Sequence, residues 1–116
     1  MGNSKETILS LLSSEILIEN HGVKILSQVS DTKLAQLDYT SWTKWEGDPS
    51  TFPWTFENTE TIYFVEGKVK VNVDGHEKEE EAFEIGKGDV VVFPKNMKCV
   101  WNITESVKKY FIHEEL

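Results

Sequence analysis

The second half of the chain alternates apolar and polar residues in short runs. Val69, Val71 and Val73 are each separated by one polar residue, which is the period of a strand with one buried face. Asp74-Gly75 follows directly and favours a tight hairpin turn. Further short runs, separated by turn residues, continue toward the C-terminus. This spacing predicts an all-β fold, either a sandwich or a barrel.

The same pattern places five more strands, over residues 61–65, 77–81, 90–93, 98–103 and 107–113. We interpret the polar residues 104–106 as the turn between the last two strands. The strand over residues 77–81 is almost entirely acidic. Its charge is interpreted as a solvated face that prevents edge pairing with other chains.

The first third of the chain has a different pattern. Residues 4–18 carry apolar residues at helical spacing and predict a short helix, and residues 21–27 alternate as one strand. Ser30 is a suitable N-cap for a helical turn that follows it. We therefore expect an N-terminal helical extension over residues 1–20 and one β-barrel domain over residues 21–116.

The composition limits the class of partner. The chain of 116 residues has room for one domain, and its net charge of -8 disfavours nucleic acid and anionic membranes as partners. All basic residues are lysine, so no guanidinium is present to grip a carboxylate or phosphate. A single cysteine excludes an intrachain disulfide, and no segment has the pattern of a secretory signal or a membrane span. We expect a cytoplasmic protein.

Two spaced motifs carry a resemblance to a known family. Glu60 is followed after six residues by Gly67, and Gly88 is followed after five residues by Pro94. Cys99 then stands at the position of a motif histidine. These motifs resemble those of the cupin superfamily. The resemblance implies an antiparallel double-stranded β-helix, the jelly-roll cupin barrel, with the short N-terminal helix outside it.

Aromatic residues narrow the resemblance. Trp42, Trp45, Phe52 and Trp54 come in the order W-x-x-W and F-x-W, and Trp101 follows Cys99 in a C-x-W pattern. Over residues 42–111 this order is similar to the small single-domain cupins of the ureidoglycine-aminohydrolase-like group, many of which have no assigned function. The resemblance implies a small nitrogen-containing molecule as ligand or substrate.

The histidines of metal-binding cupins are missing. The family holds its metal with three histidines and one glutamate, whereas this chain keeps only Glu60 and Cys99 at those positions. His21, His76 and His113 lie outside the motifs, and the last two are interpreted as surface residues. We therefore predict no metal at the motif site and no cofactor, with a non-standard metal site as the open alternative.

Glu60 and Cys99 are the candidate catalytic residues. Glu60 can act as a general base in an aromatic cavity, or it can be a buried carboxylate with structural hydrogen bonds. Cys99 can be a nucleophile or line a pocket, or it can be a small buried hydrophobe. Lys109 and Tyr110 alternate on the last strand, and one of them is expected to reach the pocket mouth.

Three aromatic residues complete the expected ligand pocket. Period-two alternation places Trp54 with Phe56 on one strand face and Cys99 with Trp101 on another. The resemblance aims both faces inward around Glu60. We predict that these five residues line one ligand-binding pocket. The alternative is that the aromatic side chains simply fill the barrel.

Three functions are consistent with these residues. The chain can be a cupin enzyme acting on a small nitrogen-containing molecule, a non-catalytic binding or sensing module, or a structural protein that has lost the cupin metal site. The missing histidines weigh against the enzyme relative to the binding module. A homodimer is expected as well, because barrels of this kind leave exposed strands that pair with a second copy.

Overall fold

The structure, a computed structural model, describes residues 17–114. Most of the helix predicted over residues 4–18 lies outside this range. Its last residue, Ile18, begins a strand instead of ending a helix. Among the described residues, no helix is long and apolar enough to cross a membrane.

Eight strands and one α-helix make up the described part of the chain. The strands are β1 Ile18–Asn20, β2 Val23–Leu26, β3 Thr43–Gly47, β4 Ser50–Thr55, β5 Thr59–Val73, β6 Phe83–Gly86, β7 Val90–Phe93 and β8 Lys98–Glu114. The helix α1 spans Asp31–Leu37, and two short 3₁₀ turns span Tyr39–Ser41 and Glu79–Glu81.

The two long strands, β5 and β8, form the spine of the sheet. They contain 15 and 17 residues and pair antiparallel from Thr59 opposite Glu114 to Val73 opposite Cys99. Every other strand of the barrel except β1 and β2 pairs directly with one of these two. The positions of side chains in the barrel therefore depend on the register of this single ladder.

The ladder between β5 and β8 is irregular near its middle. Its register shifts between Phe64 and Val69, and Gly67 lies within this stretch with φ at 97°. A Cβ at Gly67 would meet the backbone carbonyl of Ser106. The glycine is thus required both by the left-handed backbone and by the close approach of β8.

The remaining strands complete an antiparallel sheet in the order β1-β2-β7-β5-β8-β3, with β4 also on β8 and β6 also on β5. β4 pairs with the first part of β8, and β3 pairs with its later part. The long strand β8 therefore pairs with two neighbouring strands, one after the other along its length. This antiparallel topology confirms the all-β jelly-roll fold that the sequence predicts.

The prediction of a strand over residues 77–81 is wrong. Its last three residues form the 3₁₀ turn Glu79–Glu81, and the next strand starts only at Phe83. The Glu81 carboxylate accepts a hydrogen bond from the Lys78 backbone N–H at 3.3 Å, which closes the turn. Local bonding between side chain and backbone outweighs the strand pattern here.

The prediction of two separate strands over residues 98–103 and 107–113 is also wrong, because both segments belong to the single strand β8. Residues 104–106 are exposed but stay extended, and Glu105 pairs with Lys68 across the bulge of β5. Their polar character reflects contact with water and not a turn. The parity of side chains consequently continues along the whole strand.

The barrel interior holds the main core. Its most completely buried large side chains are Phe56, Phe64, Phe93, Ile62, Ile85 and Ile103. A second, smaller cluster lies under α1 and contains Leu26, Leu37, Trp42 and Val90. Ser30 caps this helix as the sequence predicts, because its hydroxyl accepts a hydrogen bond from the Lys33 N–H at 3.3 Å.

Candidate functional site

A cavity of about 140 Å³ opens from the barrel. Its walls consist of five aromatic side chains and three side chains that can carry charge. The lining residues are Trp45, Phe52, Trp54, Glu60, Trp101, Lys109, Phe111 and His113. A mostly apolar cavity with a few converging polar groups is the usual form of a small-molecule site.

The strand ladders explain why these residues meet. The odd-numbered residues of β8 share one face, and they bring Trp101, Lys109 and His113 to the cavity. β5 supplies Glu60, which is paired directly with His113. β3 supplies Trp45, which is paired with Lys109, while β4 contributes Phe52 and Trp54.

Glu60 is the buried polar centre of the cavity, with only 4% of its surface exposed. One carboxylate oxygen, Oε1, lies 2.9 Å from Nε2 of His113. The other, Oε2, accepts a hydrogen bond from Nζ of Lys109 at 3.4 Å. Both oxygens therefore have partners inside the protein, which offsets the cost of burying the carboxylate.

Lys109 places its ammonium among aromatic rings. Its Nζ lies 4.9 Å from the ring centre of Trp45, 4.8 Å from that of Trp101 and 5.1 Å from that of Phe111. These distances fit cation–π attraction, which partly replaces lost hydration. Burial lowers the pKa of Lys109, and the neighbouring Glu60 carboxylate opposes that shift.

His113 connects the buried pair to the solvent. Its side chain is 48% exposed, whereas the side chains of Glu60 and Lys109 are almost fully covered. A neutral imidazole with its proton on Nε2 donates to Glu60 and keeps Nδ1 as an acceptor. The three residues thus form a chain of polar groups from the barrel interior to the cavity mouth.

The structure brings together three of the five residues predicted to bind a ligand. Trp54, Glu60 and Trp101 line the cavity, and Trp54 stands at its mouth. Phe56 and Cys99 lie in the barrel core and are not among the lining residues. Phe56 stacks on Phe93 with the ring centres 4.4 Å apart, which fixes it in the core.

Cys99 is a buried thiol in this environment. Burial raises the pKa of Cys99 to about 11, and only the nearby Trp101 indole acts in the opposite direction. The thiol therefore keeps its proton at neutral pH. Since the thiolate is the reactive form of cysteine, this placement favours a packing role over nucleophilic attack.

The sequence predicts Lys109 or Tyr110 at the pocket mouth, and Lys109 lines the cavity. Sequence reasoning did not assign His113 or the rings of Trp45, Phe52 and Phe111 to the site. His113 is half exposed, as a surface residue would be, but it also bonds to Glu60. The signal that could have found it is parity, since Trp101, Lys109 and His113 are separated by even numbers of residues. The turn predicted at residues 104–106 interrupts this parity, so the alternation could not be followed from Trp101 to His113.

The donor atoms of the cavity do not fit the metal that metal-binding cupins hold. Both oxygens of Glu60 face cationic or imidazole partners, and an ammonium repels a metal ion. Cys99 does not line the cavity. Within residues 17–114, the group of histidine, cysteine and acidic residues close enough to share an ion lies elsewhere, at His21, His76 and Glu81. No step at Glu60 is therefore assigned to a metal.

Comparisons with known proteins agree with the fold and with the motifs. A family model described as the EutQ-like cupin domain matches residues 34–111. This range contains every residue of the cavity wall except His113. Among curated proteins, no sequence matches this chain.

Several solved structures are similar. A DUF861-family protein from Thermotoga maritima is 36% identical, with a TM-score of 0.72 over 78% of this chain and 98% of that one. The EutQ protein of Clostridium difficile is 16% identical, with a TM-score of 0.50 over 78% of this chain and 60% of that one. A DUF861-family protein of unknown function from Pseudomonas syringae is 16% identical, with a TM-score of 0.51 over 78% and 30%. The last two show a shared fold alone.

Proposed function

This chain belongs to the EutQ-like cupin domain family, and from that premise we propose that its barrel cavity binds a small, neutral, nitrogen-containing molecule. The observation that carries the proposal is the buried pair of Glu60 and Lys109 inside an aromatic wall. The carboxylate and the ammonium face the same cavity, so together they offer a ligand both an acceptor and a donor of charge-assisted hydrogen bonds.

The charge balance of the cavity favours a neutral ligand over a cation. Lys109 already compensates the negative charge of Glu60 at 3.4 Å. A second cation would have to displace the ammonium from three aromatic rings. A neutral group that donates to Glu60 and accepts from Lys109 inserts with less rearrangement.

An amide or urea group has this combination of donor and acceptor. Its N–H donates to the Glu60 carboxylate while its carbonyl oxygen accepts from the Lys109 ammonium. Its planar shape suits the rings of Phe52, Trp54 and Trp101 that line the cavity. The resemblance to the ureidoglycine-aminohydrolase-like group supports a ligand of the same chemistry.

Proton transfer at Glu60 is the second candidate function. Glu60 lies 2.9 Å from the half-exposed imidazole of His113, so a proton taken from a bound N–H has a route to solvent. In this mechanism Glu60 is the base, His113 passes the proton outward and Lys109 stabilises a developing negative oxygen. Binding without proton transfer needs only Glu60 and Lys109.

A panel of small neutral amides and ureas, with amines as the cationic comparison, tests the proposal. Compounds that raise the melting temperature would then be titrated calorimetrically into wild type and Glu60→Gln. We expect at least about tenfold weaker binding to Glu60→Gln, since a hydrogen bond to a charged group contributes roughly 1.5–3 kcal/mol.

Glu66→Gln is the matched control, because Glu66 lies on the same strand with an exposed side chain and only a distant ion pair to Lys108 at 3.8 Å. It should bind like wild type. Equal affinity in wild type and Glu60→Gln, or a preference for amines over amides, would contradict the proposal. Turnover of a bound compound that His113→Asn abolishes would favour proton transfer over binding alone.

We also propose that the protein is a homodimer in the cytoplasm. Among residues 17–114, β1 pairs with β2 alone, and Leu17 and Ile18 are exposed large hydrophobic residues at this edge. Exposed apolar residues on an unpaired edge favour pairing with a second copy. The single cysteine is a free thiol, which suits a reducing compartment.

A further inference from the structure

A second cluster of titratable side chains lies away from the barrel cavity. His21 occupies the turn between β1 and β2, and His76 follows the turn that ends β5. Glu81 ends the 3₁₀ turn Glu79–Glu81. None of the three lines the cavity, so the cluster has no part in the site described above.

The three side chains converge closely. The imidazole rings of His21 and His76 are stacked with their centres 3.8 Å apart and an angle of 18° between their planes. Nδ1 of His76 lies 2.9 Å from Oε2 of Glu81. One ligand atom from each of the three residues lies within 4.8 Å of the others.

We propose that His21, His76 and Glu81 bind a divalent transition-metal ion, with Zn²⁺ as the favoured ion. Two imidazole nitrogens and one carboxylate oxygen form a set of three protein ligands that leaves a fourth position for water. Imidazole suits zinc and copper, whereas magnesium and calcium prefer sets of oxygen ligands.

The distances allow closure around an ion. Zinc lies about 2.0–2.2 Å from nitrogen and carboxylate ligands, so ligand atoms around a tetrahedral ion are roughly 3.3–3.6 Å apart. The three ligand atoms here all lie within 4.8 Å of one another, and His21, the most exposed of the three residues, has room for the small inward shift that closure needs. The distance of 2.9 Å between Nδ1 of His76 and Oε2 of Glu81 is already shorter than the spacing of two ligand atoms around such an ion.

The surrounding chain prepares two of the ligands. Nδ2 of Asn72 donates to the carbonyl of His76 at 3.1 Å and to that of Lys78 at 3.0 Å, which fixes the loop that carries His76. Oε2 of Glu81 lies 2.9 Å from Nδ1 of His76, so the carboxylate is already held beside the imidazole.

His21 lies in the β1–β2 turn with φ at 50°, in the left-handed region that histidine tolerates. An ion bound by His21 and by His76 would join the β1–β2 turn to the connection after β5, and so stabilise the folded chain by mass action.

Calorimetric titration of the full, tag-free chain with Zn²⁺ tests the site. We expect one ion per chain with micromolar or tighter affinity, and a higher melting temperature when zinc is present. His21→Asn keeps a residue that tolerates the left-handed turn, and Glu81→Gln keeps the shape of the side chain. Each should weaken zinc binding at least about tenfold.

Glu60→Gln and Glu77→Gln are the controls. Both should bind zinc like wild type, because Glu60 lies in the barrel cavity and the Glu77 side chain bonds to the Gly75 N–H in the neighbouring turn. Zinc binding lost in Glu60→Gln and kept in His21→Asn would place the ion in the barrel and overturn the proposal. Failure of wild type to bind zinc, or equal binding by all variants, would overturn it as well.

Discussion

The most unusual residue of the barrel is Lys109, a lysine whose ammonium is buried among three rings and one carboxylate. Taking two opposite charges out of water gains little when both are present. Removing only one of them is costly, since the other stays buried without its partner. The stability of the barrel and the polarity of the cavity therefore depend on the same two side chains, Glu60 and Lys109.

Lys109→Met is expected to lower the free energy of unfolding by about 3 kcal/mol, because it leaves the Glu60 carboxylate with His113 alone. The double variant Glu60→Gln/Lys109→Met should recover most of that loss, since it removes both charges. Urea denaturation of wild type and the two variants measures both differences. A Lys109→Met variant as stable as wild type would contradict the described ion pair.

The thiol of Cys99 predicts a dependence of stability on alkaline pH. Burial raises the pKa of Cys99 to about 11, so the native state keeps a proton that the unfolded chain releases at lower pH. The free energy of unfolding should therefore be highest below the ordinary thiol pKa and fall as pH rises toward 11. Denaturation curves from neutral pH to that range would show the fall in wild type.

Cys99→Ala is the comparison for this pH effect. Truncating this buried side chain lowers the stability of the protein at neutral pH, but the difference from wild type should shrink as pH rises from the ordinary thiol pKa toward 11. A difference that stays constant with pH would mean that the thiol ionises as readily in the folded chain as in the unfolded one.

At the scale of elements, β8 decides how much could be read from the sequence. The all-β class, the turn at Asp74-Gly75 and the cap at Ser30 follow from local patterns, and the structure confirms them. The strand expected directly after that turn is absent, because the chain returns to β5 only at Phe83. The site was harder to predict. Trp101, Lys109 and His113 share one face only because β8 is continuous, whereas the sequence predicts a turn at residues 104–106. The pairing of Glu60 with His113 depends on a ladder between distant segments, which local patterns do not specify.

The bulge on β5 predicts unequal effects of two similar glycine substitutions. Gly67 and Gly75 both have positive φ, at 97° and 87°. A Cβ at Gly67 would meet the backbone of β8, whereas one at Gly75 meets nothing within 4 Å. Gly75→Ala should cost about 1–2 kcal/mol for the backbone conformation alone, and Gly67→Ala should cost clearly more. Thermal unfolding that gives Gly67→Ala the smaller loss would contradict the described contact with Ser106.

At the scale of the whole molecule, β1 has no second strand beside it among residues 17–114, and Leu17 and Ile18 are exposed apolar residues at this edge. Despite the net charge of -8, β1 carries a single charged residue, Glu19, which gives this edge little protection against pairing. A second copy can cover the edge by pairing with it. The barrel cavity lies on other strands, so association at β1 leaves the ligand site open.

Light scattering should therefore give a mass near twice the 13.3 kDa of one chain. Ile18→Lys places a charge at the β1 edge and should shift the protein toward the monomer at equal concentration. Val100→Lys is the matched control, since Val100 is an exposed apolar residue on β8. A monomer mass for wild type across all concentrations, or equal shifts for the two variants, would contradict the proposed dimer.

The barrel cavity is the proposed ligand site, and the four tryptophans of the chain allow ligand binding there to be measured directly. Trp45, Trp54 and Trp101 line the cavity, whereas Trp42 packs in the separate cluster under α1. In a titration of ¹⁵N-labelled protein with an amide or urea compound, the indole N–H signals of the three cavity tryptophans should shift together while that of Trp42 stays in place. Shifts at Trp42 alone, or the same cavity shifts in Glu60→Gln as in wild type, would contradict the account.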